Sequence, residues 1–416
     1  MDDSVCLPQQ AARVSGGAAR VLQTDIAVVG GGLAGSLAAV VLGRAGHRVA
    51  LVDRHPVYPN EFRVEKLAGD QIGLLRRLGL LDSVAAKANR YDEVVNVRRG
   101  RVIDRSFGEQ YGILYNDLVA LMREQIPSAV DMVFDRVVDI ATGPERQRLT
   151  TAGGTVVEAR LLVLATGMAD VLRQRLNIRR RTVHEKHSIS FGFSIKPAVG
   201  ETFAFPALTC YGDKVADRID YLNLFPVGDA MRANLFTFID HRDPWARTLR
   251  REPKQTLLSV MPGLTRFLGD FQVIDRVENW VMDLYAVEGH VQNGVVLIGD
   301  AFQTSCPAAG TGVSRLLTDV ERLCQHVPQW LATPGMAADK VAAFYADRAK
   351  LRADTHAAHL AQYRRALTVD DSLGWTLHRQ QAFLRRRLFG WVKQLKAAYG
   401  ALPAYSGTAK GIWIGA

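Results

Sequence analysis

Short apolar runs alternate with a segment of helical periodicity near the beginning of the chain. Residues 25–30 read DIAVVG, and the following GGLAGSLAAVVLGRAG places apolar residues at helical spacing as far as Gly46. The next run, RVALVD, is again apolar and ends at Asp53. A strand, a helix and a second strand within about 30 residues have the size of a βαβ unit. The pattern therefore predicts two parallel strands joined by a helix.

Later segments predict further strands and helices. LLRRLGLLDSVAA indicates a helix interrupted at Gly79, and LLVLAT indicates another buried strand. Between about Ser188 and Asp240, the aromatic and β-branched runs SISFGFSI, YLNLFPV and ANLFTFI are separated by Gly, Pro and Asp. Such runs are typical of a sheet. The buried-strand pattern returns with VVLIGDA at Val295, and helical periodicity dominates from about 320 to 400.

These changes of pattern predict an α/β fold with several regions. We expect a flexible tail over 1–23, a discontinuous Rossmann-type domain over 24–180 and 286–330, an inserted β-sheet substrate domain over 181–285, and a helical C-terminal region over 331–416. At about 150 residues per domain, 416 residues suffice for two or three structural units.

Composition and charge limit the class of protein. Hydrophobic residues make up 48% of the chain and charged residues 23%, which is ordinary for a globular protein. The chain lacks an apolar run of about 18 residues, and its first 23 residues lack the regions of a signal peptide, so we expect a cytoplasmic protein. The net charge of +10 fits anionic substrates, nicotinamide phosphates, a membrane surface or a solvated basic surface. Because no nucleic-acid-binding motif is present, we expect no nucleic-acid partner.

The cysteines and histidines argue against a metal site. Cys6, Cys210, Cys306 and Cys324 form no C-x-x-C pair, and the ten histidines show no ligand spacing such as H-E-x-x-H. We therefore expect neither a structural zinc site nor a dithiol redox centre. Without an export signal, the thiols should be reduced.

A glycine-rich segment joins the first predicted strand to the first helix. Gly30, Gly32 and Gly35 form a G-x-G-x-x-G fingerprint in the strand-to-helix context that dinucleotide binding requires. The first glycine allows the tight turn, the second lets a pyrophosphate approach the backbone, and the third permits close packing of helix on sheet. The helix N-terminus suits phosphates, and Asp53 ends the second strand, where a carboxylate accepts ribose hydroxyls. The expected dinucleotide contacts are Gly30, Gly32, Leu33, Ala34, Gly35, Asp53 and Arg54.

A second motif indicates which dinucleotide binds. Residues 299–312 read GDAFQTSCPAAGTG after the strand VVLI. This segment resembles the G-D motif of the aromatic-hydroxylase group of flavoprotein monooxygenases, which bind FAD. In that family the aspartate, here Asp300, binds a ribityl hydroxyl, and the proline and Gly-x-Gly line the isoalloxazine. A helix that starts near Gly310 would direct N–H groups at the flavin and stabilise its reduced, negatively charged form. The resemblance assigns FAD contacts to Gly299, Asp300, Pro307, Gly310, Gly312 and Val313.

A weaker match lies between these two motifs. LVLATGMADVLRQRL resembles the family's A-D-G-x-x-S-x-x-R segment, which contacts both FAD and nicotinamide. Ala165, Gly167 and Arg173 match it, whereas Thr166 and Asp170 replace the family's Asp and Ser. The resemblance places Gly167 at the FAD and leaves the nicotinamide contact open.

Two further positions bear on FAD binding. Arg63, in EFRVEKL, stands where several relatives place an arginine over the FAD pyrophosphate or ribityl chain, and the alternative is a surface arginine. Tyr115 replaces an arginine that many relatives use for FAD, so that contact is expected to be missing.

The resemblance covers about residues 25–330 in order and spacing. It implies an FAD-dependent monooxygenase of the group A, aromatic-hydroxylase-like superfamily, which is related to flavin-dependent halogenases and geranylgeranyl reductases. In this chemistry NADH or NADPH binds transiently and reduces FAD, O2 gives a flavin C4a-hydroperoxide, and one oxygen atom passes to a small, electron-rich or aromatic substrate. The absence of a second dinucleotide fingerprint agrees with a transient donor. No side chain is assigned as a catalytic base.

Three alternatives stay open. A flavin-dependent halogenase would share the fold, and Glu65 is similar to a glutamate of those enzymes, but their G-W-x-W-x-I-P motif is missing. A flavoprotein reductase of prenyl chains or other alkenes would suit a basic amphipathic C-terminus. A non-enzymatic FAD- or nucleic-acid-binding module would leave the intact G-D motif unexplained.

Aromatic residues of the predicted sheet domain are candidates for a substrate pocket. They are Phe191, Phe193, Tyr221 and Phe236. Phe191 and Phe193 alternate along a strand and therefore share one face. The alternative is that these residues belong to the core.

The segment 373–396 predicts an amphipathic basic helix. Leu384, Leu388, Trp391 and Leu395 lie at helical spacing among arginines and a lysine. We expect this leucine stripe to pack on the parent domain. Peripheral membrane contact is the alternative.

Overall fold

The computed structural model describes residues 20–400, with only the backbone for Phe389 and residues 391–400. The strands are β1 (Val21–Gln23), β2 (Ile26–Val29), β3 (Val49–Asp53), β4 (Val64–Ala68), β5 (Asn89–Arg98), β6 (Arg101–Leu114), β7 (Asp131–Phe134), β8 (Val137–Ala141), β9 (Gln147–Thr151), β10 (Val156–Ala159), β11 (Leu161–Leu164), β12 (Arg179–Pro197), β13 (Leu208–Tyr211), β14 (Ile219–Val227), β15 (Ala230–Thr237), β16 (Phe271–Val273), β17 (Glu278–Glu288) and β18 (Val295–Leu297). The helices are α1 (Leu33–Arg44), α2 (Asp70–Arg77), α3 (Leu81–Ala85), α4 (Tyr115–Glu124), α5 (Val171–Arg175), α6 (Pro244–Arg251), α7 (Pro253–Val260), α8 (Thr265–Leu268), α9 (Gly312–Ala332), α10 (Ala338–Tyr345), α11 (Arg348–Val369) and α12 (Leu373–Gly400). The predicted α/β class is confirmed, and the predicted interruption between α2 and α3 falls at Gly79, whose φ is +66°.

A parallel sheet forms the layer that contains the glycine-rich turn. Its strand order is β18–β11–β2–β3–β7, and all neighbours pair in parallel. Its central strands are apolar because both faces are covered. On one face, Leu37 of α1, Val119 of α4 and Leu317 of α9 belong to a single buried core with Val28. The βαβ unit predicted from the first apolar runs is therefore confirmed.

A small sheet of order β1–β10–β9–β8 covers the other face of the parallel sheet. Its Val157 lies in one buried core with Ala27 and Leu162 of the parallel strands. The prediction of a flexible tail over 1–23 is wrong for its last residues. Val21–Gln23 forms a strand that pairs in parallel with β10, and the edge of β10 supplies the backbone hydrogen bonds of this strand. The rest of that predicted tail, residues 1–19, lies outside the described residues.

The largest sheet has the order β16–β12–β15–β14–β13–β5–β6–β4, and β17 pairs with β12. The strands predicted between Ser188 and Asp240 are found in it as β12, β14 and β15. The sheet is not confined to 181–285, however, because β4, β5 and β6 join it through a parallel pairing of β5 with β13, where Val95 lies opposite Leu208. Charged residues interrupt the apolar pattern of β5 and β6. The sequence of these two strands therefore does not predict the sheet to which they belong.

Helices α6, α7 and α8 cover part of the large sheet. Leu249, Leu257 and Leu268 of these helices share a buried core with Phe193 and Leu235 of the sheet. Because this core holds the sheet rigid, the side chains that line a cavity on the sheet are positioned by regular structure.

The C-terminal helix α12 packs on the large sheet through polar and aromatic contacts. Arg386 forms an ion pair with Asp104 of β6 at 2.9 Å, and it also donates to the hydroxyl of Tyr211. Phe383 lies beside the same tyrosine, with ring centroids 5.6 Å apart.

The leucine stripe of α12 does not pack as predicted. Leu384 and Leu388 are 58% and 53% exposed, because the face with Phe383 and Arg386 turns towards the sheet. The side chains of Trp391 and Leu395 lie outside the described residues. Among residues 20–400, none of the helices is both long and apolar enough to cross a membrane.

Candidate functional site

The glycine turn between β2 and α1 has the geometry that the fingerprint predicts. Gly30 has φ +102°, and a Cβ there would lie 2.5 Å from the carbonyl oxygen of Ala165. A Cβ at Gly35 would lie 1.8 Å from the carbonyl oxygen of Gly30, so this glycine is required for packing. At Gly32, by contrast, the nearest heavy atom is 4.0 Å away, on Tyr58. The space at the second glycine is therefore open for a ligand.

The first residues of α1 complete this turn. Leu33 is buried and Ala34 is half-buried, and among the residues that the structure describes no side chain caps the N-terminal N–H groups of the helix. Uncapped N–H groups at a helix N-terminus carry positive potential and bind phosphate oxygens. The turn and helix together fit the pyrophosphate of a dinucleotide.

The carboxylate of Asp53 is held in place at the end of β3. Its two oxygens accept hydrogen bonds from the backbone N–H of Gly31 at 2.6 Å and of His55 at 2.7 Å. Arg123 of α4 adds an ion pair at 3.3 Å. Each carboxylate oxygen has further acceptor capacity, which suits the predicted ribose contact. Arg54 is exposed, and its role remains a prediction.

Asp300 follows β18, on the side of the parallel sheet where the glycine turn lies. Within residues 20–400, no donor hydrogen-bonds its carboxylate, which borders a cavity. Burial raises the pKa of this carboxyl, and the positive charges of Arg315 and Arg63 oppose that increase. Asp300 is half-buried, and a carboxylate in such a place accepts hydrogen bonds from a ligand or from water. A hydroxyl of the ribityl chain would supply the missing donor, so the residue fits the role that the G-D motif assigns.

Buried charges hold the Asp300 loop from the helical side. The backbone N–H of Gly299 donates to Asp319 of α9 at 2.8 Å, and the ammonium of Lys350 donates to the same carboxylate at 2.7 Å. Gly299 itself has φ +61° and lies close to Ala34 of α1. Neither Asp319 nor Lys350 belongs to a recognised motif, so sequence reasoning missed both.

The segment around Arg173 supports the same loop from the opposite side. Arg173 is 1% exposed and donates to the carbonyl of Ala301 at 2.7 Å. The hydroxyl of Tyr285 donates to the backbone carbonyl of Asp300, also at 2.7 Å. This explains physically why Arg173 matches the family segment. Gly167, with φ +59°, precedes it and remains a predicted FAD contact.

A cavity of about 370 Å³ lies between the Asp300 loop and the large sheet. Pro307, Gly310, Gly312 and Val313 border it on the side of α9. Gly310 has φ +66°, which lets the chain turn from a 3₁₀ turn into α9. In the described part of the chain, no side chain caps the N-terminus of α9. The motif residues predicted to line the isoalloxazine therefore meet at one cavity.

Arg63 and Tyr115 lie together on the wall of this cavity. The guanidinium of Arg63 stacks on the Tyr115 ring, 4.0 Å from its centroid, and pairs with Glu61. Arg63 is therefore not the surface arginine of the alternative interpretation. Tyr115, which replaces the family's arginine, supports another arginine at the cavity.

Glu65 adds a buried carboxyl to the same cavity. Burial raises its pKa to about 7, the negative charge of Asp300 adds to the increase, and Arg63 opposes it. A carboxyl with this pKa exchanges its proton near neutral pH, a property that is common at functional sites.

The predicted substrate residues divide into two groups. Phe191, Tyr221 and Phe236 border the cavity, and the Tyr221 hydroxyl donates to Ala308 next to Pro307 at 2.8 Å. Phe193 has no exposed surface and packs against the helices that cover the sheet, so its assignment to a pocket is wrong. Residues with no motif signal also border the cavity. They are Lys66, Trp280, Met282, Asn223 and Asn234.

The site as a whole fits FAD. A fixed carboxylate at the end of β3, an open glycine turn, the carboxylate of Asp300 and a cavity at the N-terminus of α9 suit in turn the ribose, the pyrophosphate, the ribityl chain and the isoalloxazine of that cofactor. FAD would bring redox chemistry that no protein side chain provides.

Known proteins resemble this chain over most of its length. The family described as FAD binding domain matches residues 23–357. Kynurenine 3-monooxygenase of Salinispora arenicola (strain CNS-205) is 25% identical over 333 residues, covering 71% of this chain and 70% of that protein. The chain therefore shares sequence with a monooxygenase well beyond the glycine turn.

Solved structures share its fold. The p-nitrophenol 4-monooxygenase PnpA from Pseudomonas putida DLL-E4 superimposes with a TM-score of 0.69 and 16% identity, covering 89% of this chain and 93% of that one. CmlS, a flavin-dependent halogenase, gives a TM-score of 0.66 and 16% identity, covering 88% and 70%. At these identities the likeness shows the fold alone. Because the family match spans the glycine turn, Asp300 and the residues that border the cavity, the chain belongs to the FAD binding domain family and is an FAD-dependent oxidoreductase.

Proposed function

We propose that this enzyme is a monooxygenase that uses NADH or NADPH and O2 to oxygenate an aromatic substrate. The observation that carries the proposal is that two walls of different composition face each other across the cavity. One wall contains Asp300, Pro307 and Gly312, which are predicted to bind the flavin, and the other contains aromatic side chains of the large sheet. The similar proteins are named for kynurenine and p-nitrophenol, and both names denote aromatic compounds.

Each wall has a separate task in this proposal. Bound FAD supplies electron transfer from the nicotinamide and activation of O2. The uncapped N–H groups at the start of α9 stabilise negative charge at the ring edge. Phe236 and Trp280 orient an aromatic ring and keep water away from it.

Glu65 is the titratable group of the cavity with a pKa near 7. Its carboxyl can hold a proton beside the substrate or release it at working pH. Lacking a second dinucleotide fingerprint, the chain would bind the nicotinamide only transiently, at the cavity mouth.

Oxygen labelling tests the proposal. Aromatic compounds are first screened for acceleration of NAD(P)H oxidation by the FAD-loaded enzyme. Those that accelerate it are incubated with enzyme and NAD(P)H under ¹⁸O2, and the masses of the products are measured by mass spectrometry. We expect one ¹⁸O atom per product molecule and no effect of halide. Bromine or chlorine gained only when halide is present would establish the halogenase alternative, and two hydrogens gained without oxygen would establish the reductase.

A further inference from the structure

A second cavity adjoins the flavin cavity. Its volume is about 680 Å³, within the range of small-molecule sites. Lys66, Tyr221 and Asn223 border both cavities. β4 brings the lysine from the edge of the large sheet, and β14 brings the other two. We call these three side chains the junction, because they lie between the cavity beside Asp300 and the larger second cavity.

The cations of the second cavity differ in their partners. Its three arginines each lie within 2.9 Å of a carboxylate oxygen. The pairs are Arg364 with Asp220, Arg386 with Asp104, and Arg76 with Glu109. In the part of the chain that the structure describes, Lys66 has neither a hydrogen bond nor an ion pair, and burial alone lowers the pKa of its ammonium to about 8. One positive charge at the junction is therefore left for a ligand.

Asn223 places a donor at the same junction. Its amide oxygen accepts a hydrogen bond from the hydroxyl of Thr209 at 2.7 Å, which leaves the NH2 group to donate into the cavity. Both side chains are half-buried and have no acceptor among the described residues, so an anionic ligand in the cavity can take their hydrogen bonds in place of water. One cation and one amide match the single charge and two oxygens of a carboxylate.

We propose that Lys66 and Asn223 bind the carboxylate of the substrate, so that the enzyme acts on aromatic carboxylates. This inference rests on the proposed function, because it takes the flavin cavity as the place of the aromatic ring. The ring lies between Phe236 and the flavin motif, while the carboxylate stays at the junction. Lys66 is then the residue that distinguishes an acid from its neutral analogue.

Binding without turnover tests the proposal. The FAD-loaded enzyme is titrated, without nicotinamide, with benzoate, anthranilate and 2-naphthoate and with the amide of each, and perturbation of the flavin absorbance is recorded. We expect at least one carboxylate to bind ten or more times more tightly than its amide. Lys66→Met should abolish that preference and Lys66→Arg should retain most of it. Arg76→Gln removes a paired cation from the same cavity and should leave the preference unchanged.

Several outcomes would overturn the proposal. It is wrong if every carboxylate binds no better than its amide, or if Lys66→Met keeps the preference. It is also wrong if Lys66→Met weakens FAD binding and leaves the preference intact, because Lys66 would then belong to the flavin site. A carboxylate preference without ¹⁸O incorporation would refute the monooxygenase and keep this site, whereas ¹⁸O incorporation with no preference would do the reverse.

Discussion

The glycine turn allows packing and cofactor binding to be separated by two single substitutions. In Gly35→Ala, the added methyl carbon would lie 1.8 Å from the carbonyl oxygen of Gly30. Relief to an ordinary contact requires a displacement of more than about 1 Å in a close-packed layer, and overpacking of this kind costs about 1–3 kcal/mol or more. In Gly32→Ala the methyl meets nothing nearer than 4.0 Å, and the φ of −74° is normal for alanine. The apoprotein should therefore keep its stability to within about 1 kcal/mol.

Cofactor affinity should show the opposite order. The methyl of Gly32→Ala occupies the space through which a pyrophosphate reaches the backbone, so we expect FAD binding to weaken at least tenfold, or about 1.4 kcal/mol. Thermal unfolding of the apoproteins and titration of flavin fluorescence measure the two effects. Gly73→Ala is the control, because a methyl there meets only the Arg77 side chain at 3.8 Å. It should leave FAD affinity unchanged and, as a change within helix α2, raise stability by about 0.5–1 kcal/mol. A Gly32→Ala protein that binds FAD like the parent, or a Gly35→Ala protein of unchanged stability, would refute the reasoning.

Three further substitutions test other parts of the site. Asp300→Ala removes the acceptor for the ribityl hydroxyl and should weaken FAD binding by roughly 1–3 kcal/mol; unchanged affinity in a folded protein would make Asp300 purely structural. The folded pKa of Glu65, about 7, lies above its usual 4.5, so its contribution to stability is present at low pH and is lost as the pH rises through 4.5–7. Glu65→Gln should therefore stabilise the apoprotein by about 2 kcal/mol more at pH 8 than at pH 5, and equal effects in melts at both values would contradict this. Arg386→Ala breaks the ion pair with Asp104 and should speed proteolysis of α12, whereas the exposed Arg387→Ala should not; equal cleavage of both variants would show that the pair does not anchor the helix.

Residues that act locally could be predicted from the sequence. The packing roles of Gly30 and Gly35 follow from the strand-to-helix turn in which they lie, because that turn has a short-range pattern. The ribityl contact of Asp300 comes from the family resemblance and stays a prediction. Arg123 could not be predicted, since it meets Gly31 across 92 residues of chain and belongs to no motif. The buried pair of Lys350 and Asp319 has the same difficulty, because charged residues are usually exposed.

The large sheet illustrates a second limit. Periodicity predicts that a strand exists, but membership of a sheet depends on which edge is free to accept it. The large sheet includes β4, β5 and β6, although these strands are far from β13 in the sequence. Their place in the sheet brings Lys66 and Glu65 to the cavity. Likewise, the leucines of α12 have the spacing of a buried face, and only the contacts of Phe383 and Arg386 decide that this face lies outward.

Helix α11 connects the two walls of the cavity, because its two ends are each held by an ion pair to a different wall. Near its start, Lys350 is anchored to the Asp300 loop through Asp319, and further along, Arg364 is anchored to Asp220 on the large sheet at 2.8 Å. At 1.5 Å per residue, the two anchors lie about 21 Å apart along the helix. Opening the walls like a hinge would have to break a buried ion pair at one end. We therefore expect ligands to enter and leave by their own movement or that of surface loops, with both ion pairs kept.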